Sequence, residues 1–297
     1  MTATTEPVRL RHPGPAPATR IVSVPTRARV ARCEVQPGER LMSGLWRLLE
    51  EAGGRAGSAE LSGGGFRDLP YVFPAVSHDP GRAVTFTEPQ VARGASALLL
   101  GSATIGHRDG ERFTHSHASW LDGTGTLRGG HLLEGATAGD VPISVVLHAY
   151  DDVELRNGED PETLMPVFCP EPSRGALPGA RPADVVVSRV RPGVDLVEAV
   201  RHVCAEAGWD RAIVHSSLGS TVGARLRRDG GTVEVPGPAV EFTKLVGVAA
   251  GVLSGLPDVH LTGTCVDVAG LVHSGTIVPG RNPVAVTFEL VVQRGTA

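Results

Sequence analysis

FTHSHASWLDGTGTLRGGHLLEG, residues 113–135, decides how this chain is read. It carries three histidines, His115, His117 and His131, the last directly after Gly129 and Gly130. Alternate residues of a strand point to one face, so a strand over residues 113–121 projects His115 and His117 together, about 7 Å apart at Cα. The turn-rich segment 122–126, DGTGT, reverses the chain, and a returning strand sets His131 beside the other two. Gly129 and Gly130 carry no side chain, so the backbone there can approach a neighbour or a ligand closely. Three neutral imidazoles on rigid strands leave a fourth coordination position open, which is the pattern of a catalytic rather than a structural zinc-type centre. The competing reading leaves the same histidines on the wet face of a hairpin, satisfied by local hydrogen bonds.

Upstream of this stretch, a Pro37-Gly38 turn leads into a one-sided apolar stripe of Leu41, Met42, Leu45, Leu48 and Leu49, the signature of a packed helix ending at Gly53-Gly54. The same pattern recurs 155 residues later. There Pro192-Gly193 precedes Leu196, Val197, Val200, Val203 and Cys204. DVAGLVHSGTIVPG, residues 267–280, aligns without gaps on DGTGTLRGGHLLEG, residues 122–135, at an offset of 145. Both hairpins run into an apolar strand, residues 141–150 and 283–292. Helix, hairpin and closing strand repeated in order imply a tandem duplication.

The expected organisation is a mobile tail over residues 1–20, a first domain over 21–167, a Pro-, Gly- and Ala-rich linker over 168–184 and a second domain over 185–297. The alignment sets His115 against His260, but His117 against Thr262 and His131 against Thr276. Only the first copy keeps the three-histidine set. Chemistry is therefore expected before about residue 167, with the second copy as scaffold, lid or assembly surface.

The 297 residues suffice for two cores, and 41% hydrophobic and 20% charged residues fit an ordinary globular protein. A formal charge of −4 argues against nucleic acid as a partner coated along its backbone. Four scattered cysteines offer neither a disulfide framework nor a zinc ribbon, and Cys204 reads as a buried small hydrophobe. No apolar run is long enough to span a bilayer and no secretory signal opens the chain, so a cytoplasmic protein without a membrane partner is expected. Lys244 is the sole lysine, and anion binding is the role weighed for it against chance survival in an arginine-biased composition.

The order helix, strand, Asp109-Gly110, His115, His117, Gly125, Gly129, Gly130, His131, Leu132 and Gly135 resembles the PPC domain, the plant and prokaryote conserved domain. The first copy matches over about residues 30–168. The second matches over about 183–293, mainly through its helix and Gly270, Gly275 and Gly280. The resemblance implies an α/β (α+β) fold, each domain a mostly antiparallel sheet with packed helices, assembled as a homotrimer. It also implies a metal held by His115, His117 and His131. Plant members are associated with AT-hooks, whose Arg-Gly-Arg-Pro core enters the minor groove. Here Gly179-Ala180-Arg181-Pro182 has one arginine and no basic flank, a departure from the plant pattern that weighs against the DNA role.

Around the histidines, Arg108, Arg112 and Arg128 are candidate clamps for an anionic small molecule, because guanidinium forks bind carboxylates bidentately. Glu134 has no acidic counterpart in the second copy and is the candidate base, with His107 as a further proton carrier. Asp122 is assigned to the turn, since Asp267 repeats it where the histidines are missing. The leading expectation is a zinc-dependent lyase or hydrolase acting on a small carboxylate-containing metabolite. The alternatives are a DNA-associated or regulatory trimer without catalysis and a small-molecule binding module.

Overall fold

Runs of Val, Ile, Leu and Thr alternating with small or polar residues drive most of the chain into strands, and turns built on Asp, Gly and Pro set their order. The computed structural model describes residues 10–79, 81–173, 182–255 and 258–295. The histidine strand, Glu111–Leu121, pairs antiparallel with Ser96–Arg108 on one side and Leu127–Leu132 on the other. Asp122 makes the reversal: its Oδ1 accepts from the backbone N–H of Thr124 at 2.9 Å and Thr126 at 3.0 Å. Asp267 repeats the device on Ala269 and Leu271 at 2.8 and 3.0 Å. Asp122 is thus a turn residue, as expected.

The first half builds one sheet in the spatial order Ala28–Val35, Ile143–Tyr150, Ala56–Ser62, Ser96–Arg108, Glu111–Leu121, Leu127–Leu132. The second half repeats that order with Val185–Val190, Val284–Arg294, Ala212–Thr221, Val240–Ala250, Asp258–Val266, Val272–Ile277. His117 lies opposite His131 in the first hairpin, and Thr262 lies opposite Thr276 in the second, so the register confirms the duplication at an offset of 145.

Helix Leu41–Glu51 buries Leu41, Leu45, Trp46, Leu48 and Leu49 against the first sheet beside Leu61, Trp120 and Leu147. Helix Leu196–Ala207 covers the second sheet beside Phe242, Phe288 and Leu290, with Cys204 fully buried. The second helix is capped by Asp195, which accepts from the N–H groups of Val197 and Glu198, and closes on Gly208 in the left-handed conformation that glycine adopts without steric penalty. The helices take the outer faces, which leaves the inner faces of the two sheets against each other. There an apolar cluster joins Val24, Phe113, Leu155, Phe168, Val185, Val187 and Val291 from both halves. Beside it runs a polar seam: Ser119 Oγ meets Thr243 Oγ1 at 2.9 Å, and His117 donates from Nδ1 to the Phe242 carbonyl at 2.9 Å.

The domain limits differ from the expected ones. Strand Ile21–Thr26 crosses over to pair with Val185–Val190 at the edge of the second half's sheet. Residues 168–172, expected in the linker, belong to strand Pro166–Pro172, which pairs with Val153–Glu159. Residues 10–20 pack on the body rather than forming a tail, because a bidentate ion pair holds them: Arg20 reaches both Glu162 oxygens at 2.9 Å, and Gly14 donates to the Glu162 carbonyl. Residues 1–9 of the expected tail and 174–181 of the expected linker lie outside the described residues, and with them most of Gly179–Pro182. Among the described residues no helix is long and apolar enough to cross a membrane.

Candidate metal centre

Strand alternation puts Phe113, His115, His117 and Ser119 on the inner face, while Ala118 and Trp120 join the core under the helix. The hairpin register then brings His131 across from His117. Gly130 permits the third side of this arrangement. A Cβ there would stand 2.3 Å from the Val72 carbonyl oxygen, and strand Pro70–Val72 pairs with the backbone at His131. The ring centroids are 4.6 Å apart for His115 and His117, 4.9 Å for His115 and His131, and 5.2 Å for His117 and His131. One ligating atom from each lies within 4.8 Å of the others.

The second half completes the centre, which corrects the expectation that chemistry would end before about residue 167. Glu289 Oε1 lies 2.7 Å from His115 Nδ1, and Glu241 Oε1 lies 3.6 Å from His117 Nε2. Strand register places these carboxyls where the first copy has Ser144 and Ala97. The two copies have therefore diverged in a complementary way, one presenting imidazoles and the other carboxyls to the same seam.

Hydrogen-bond accounting shows what this cluster lacks. A carbonyl oxygen can only accept, so His117 Nδ1 carries the proton it shares with Phe242 and Nε2 is bare. His115 Nδ1 meets Glu289 Oε1 at 2.7 Å, which turns its Nε2 towards His117. These two nitrogens face each other at 2.9 Å. That contact is bridged either by a proton on His115 Nε2 or by an ion that both nitrogens ligate. Burial holds the His117 and His131 imidazoles well below their ordinary pKa, with the neighbouring histidines adding to the effect, so both are kept in the neutral, ligating form. His131 Nδ1, Glu241 Oε2 and Glu289 Oε2 are buried without a hydrogen-bond partner. The donor set fits a divalent ion of the zinc type, whose bonds of about 2.0–2.1 Å put ligand nitrogens roughly 3.3 Å apart.

The cluster opens into a cavity of about 320 Å³, lined largely by apolar groups that include Val72, Phe86, Phe113, Met165 and Val286. Arg108 supplies its charge. The guanidinium lies 3.6 Å over the Phe113 ring and donates from Nε to Asn157 Oδ1 at 2.8 Å. Ser220 and Thr287 also line it, the latter with an unpartnered hydroxyl.

Of the residues singled out in the sequence, the structure joins His115, His117, His131 and Arg108. Others stand elsewhere. Glu134 is exposed and lines a neighbouring cavity of about 460 Å³ that shares Arg108, Phe113 and His131 with the first, while Glu241 and Glu289 stand beside the ring nitrogens of His117 and His115. His107 packs edge-on to Trp46 at 4.9 Å, and Arg112 pairs with Glu50; both line a surface pocket away from the histidines. Arg128 is tied to Asp122 at 3.3 Å. Lys244 binds Glu60 Oε2 at 2.7 Å rather than a free anion. Glu241 and Glu289 were missed because a lone acidic residue inside the apolar runs VEFTKLV and VTFELVV reads as strand punctuation; a charge in a doubly covered strand was the available signal.

These buried imidazoles make stability depend on pH. His215, on strand Ala212–Thr221, is lowered by burial and by the adjacent His148 from 6.5 to about 4. The unfolded chain takes up protons near pH 6.5 that the folded chain refuses, so ion-free protein loses stability as pH falls below 6.5. For His215 the loss is roughly 2 kcal/mol by pH 5. Urea midpoints should fall steadily between pH 7.5 and 5; a flat profile over that range contradicts the burial argument.

No curated protein matches the chain. Among solved structures, a metal-containing protein of Archaeoglobus fulgidus is 18% identical, with 50% of this chain and 97% of that one covered at a TM-score of 0.40. A plant- and prokaryote-conserved (PPC) protein of Pyrococcus horikoshii is 17% identical, covering 47% and 92% at 0.37. A protein of Ralstonia eutropha JMP134, described as a candidate DNA-binding protein, is 23% identical, covering 46% and 88% at 0.38. The family model of the Plants and Prokaryotes Conserved (PCC) domain matches residues 22–150 and again 179–296. With two copies of that domain accounting for most of its length, the chain belongs to the PCC domain family as a tandem member.

Proposed function

We propose that this chain is a metal-dependent enzyme acting on a small carboxylate-containing metabolite by lyase or hydrolase chemistry. The observation that carries the reading is the convergence of three imidazoles, with His115 Nε2 and His117 Nε2 2.9 Å apart, at the end of a cavity whose lining includes one arginine. His115, His117 and His131 would hold the ion, with the Glu289 carboxyl on His115 Nδ1 beside it. Bound there, a zinc-type ion supplies Lewis acidity towards a carbonyl or carboxylate oxygen and lowers the pKa of water.

The chain's own residues do the rest. Arg108, held by Asn157 and Phe113, would clamp the carboxylate while the apolar walls exclude water and take the hydrocarbon body. Glu289 fixes the His115 tautomer. Burial raises the Glu241 carboxyl well above the ordinary range, so it keeps a proton 3.6 Å from His117 Nε2 and is the group suited to deliver one. A homotrimer, implied by the family resemblance, would carry one such centre per chain.

Calorimetry of the zinc-loaded full chain against a panel of small mono- and dicarboxylates tests this reading. At least one is expected to bind, and Arg108→Gln should weaken it tenfold or more, ~1.4 kcal/mol. The absence of any carboxylate binding at millimolar concentration, together with salt-sensitive DNA binding, would transfer the protein to the regulatory alternative.

A further inference from the structure

The polar seam between the halves holds a second constellation that the centre above does not use. His148, on Ile143–Tyr150 of the first half, stacks on His215 of the second, ring centroids 4.0 Å apart and planes inclined by 19°. Glu60, on Ala56–Ser62, brings Oε1 to 3.9 Å from His148 Nε2. One ligating atom from each of Glu60, His148 and His215 lies within 4.8 Å of the others. His148 and His215 are only 4% and 6% exposed. Both ring nitrogens of His148 and Nε2 of His215 have no hydrogen-bond partner. A buried imidazole with no partner on either nitrogen is an uncompensated desolvation cost, and the ordinary remedies are water or a cation.

We infer that Glu60, His148 and His215 form a second site for a divalent ion of the borderline class, such as zinc, cobalt or nickel. Two imidazoles and one carboxylate are a complete protein ligand set for such an ion, with a position left for water. One ligating atom of each residue is already within reach of a common ion, and the 22% exposure of the Glu60 and Lys244 side chains provides a way in from solvent. Glu60 lies opposite Val146 and His215 opposite Val291, equivalent positions of the two closing strands, so the site lies where the duplicated sheets meet, and it requires both.

The sole lysine acquires a role here. Lys244 occupies Glu60 Oε2 at 2.7 Å, leaving Oε1 for the histidines. Its ammonium neutralises the carboxylate when the site is empty and opposes an ion when one arrives. The lysine therefore sets the affinity of the site below that of the three-histidine centre, and its removal should strengthen binding, the opposite of its effect on a site meant for an anion.

Titration of the chelator-stripped full chain with Co²⁺, followed by visible absorption and by equilibrium dialysis, tests the inference. Wild type should take up two equivalents, the weaker of which is lost in His215→Ala and in Glu60→Gln. Glu60 lies at a partly exposed position where the amide keeps the volume, so Glu60→Gln serves as the variant that folds. Lys244→Met should tighten the weaker equivalent about tenfold, by removing a like charge and freeing the second oxygen. The inference is overturned if His117→Ala binds no Co²⁺, if its remaining equivalent survives Glu60→Gln, or if Lys244→Met weakens binding. Failure of the three-histidine centre would show differently, as Co²⁺ uptake unaffected by His117→Ala yet still lowered by Glu60→Gln.

Discussion

His117→Ala is expected to remove one equivalent of divalent ion from the purified chain and to weaken what binding remains at that centre at least about a hundredfold, ~2.7 kcal/mol. Its Nε2 is one of the two nitrogens that face each other, and the variant leaves His115 with no partner across the 2.9 Å gap. The same substitution deletes the bond from Nδ1 to the Phe242 carbonyl, one of the hydrogen bonds that ties the two sheets together, at a further cost of roughly 1 kcal/mol in stability. His117→Gln keeps much of the side-chain volume and separates the two effects. Elemental analysis before and after dialysis against a weak chelator provides the measurement. Ion content unchanged in both variants would rule out the three-histidine centre, whereas an equivalent that Glu60→Gln then abolishes belongs to the other cluster.

Glu289→Ala should weaken ion binding at the same centre 10- to 100-fold, by about 1.4–2.7 kcal/mol, although the residue lies 174 positions beyond His115. Its carboxylate holds His115 in the tautomer that presents Nε2, and without it the ring is free to protonate the wrong nitrogen. Glu289→Gln, whose carbonyl oxygen still accepts from Nδ1–H but carries no charge, should fall between wild type and Glu289→Ala. Equal affinity in all three proteins would show that the second copy only covers the centre. The graded order would show that it takes part.

Much of this molecule was legible before any coordinates. The five apolar positions recurring after 155 residues and the hairpins after 145 follow from local periodicity, and the structure repeats the same strand order in both halves. His115 and His117 share a face because a strand has a period of two, and His131 joins them because the Asp122 turn sets the register. The weaker readings failed for a common reason. Glu134, His107, Arg112 and Arg128 are near the histidines in sequence, but Leu132 and Glu134 belong to the opposite face or its rim, and Arg112 is drawn to Glu50 on the helix. Sequence proximity gives no information about which side of a sheet a loop end will favour, and surface arginines take whichever carboxylate is nearest.

What local sequence determined by itself is the repeated unit: its helix stripe, its hairpin turn and the inward set of imidazoles, all products of residues a few positions apart. Only the tertiary structure decided that the inner faces of the two copies would meet, bringing Glu241 and Glu289 to the first copy's histidines and His215 and Lys244 to its Glu60 and His148. The physical reason is that each sheet has one face covered by its own helix and needs another surface for the second. The buried carboxyls and imidazoles there are tolerated because each half supplies groups that the other lacks.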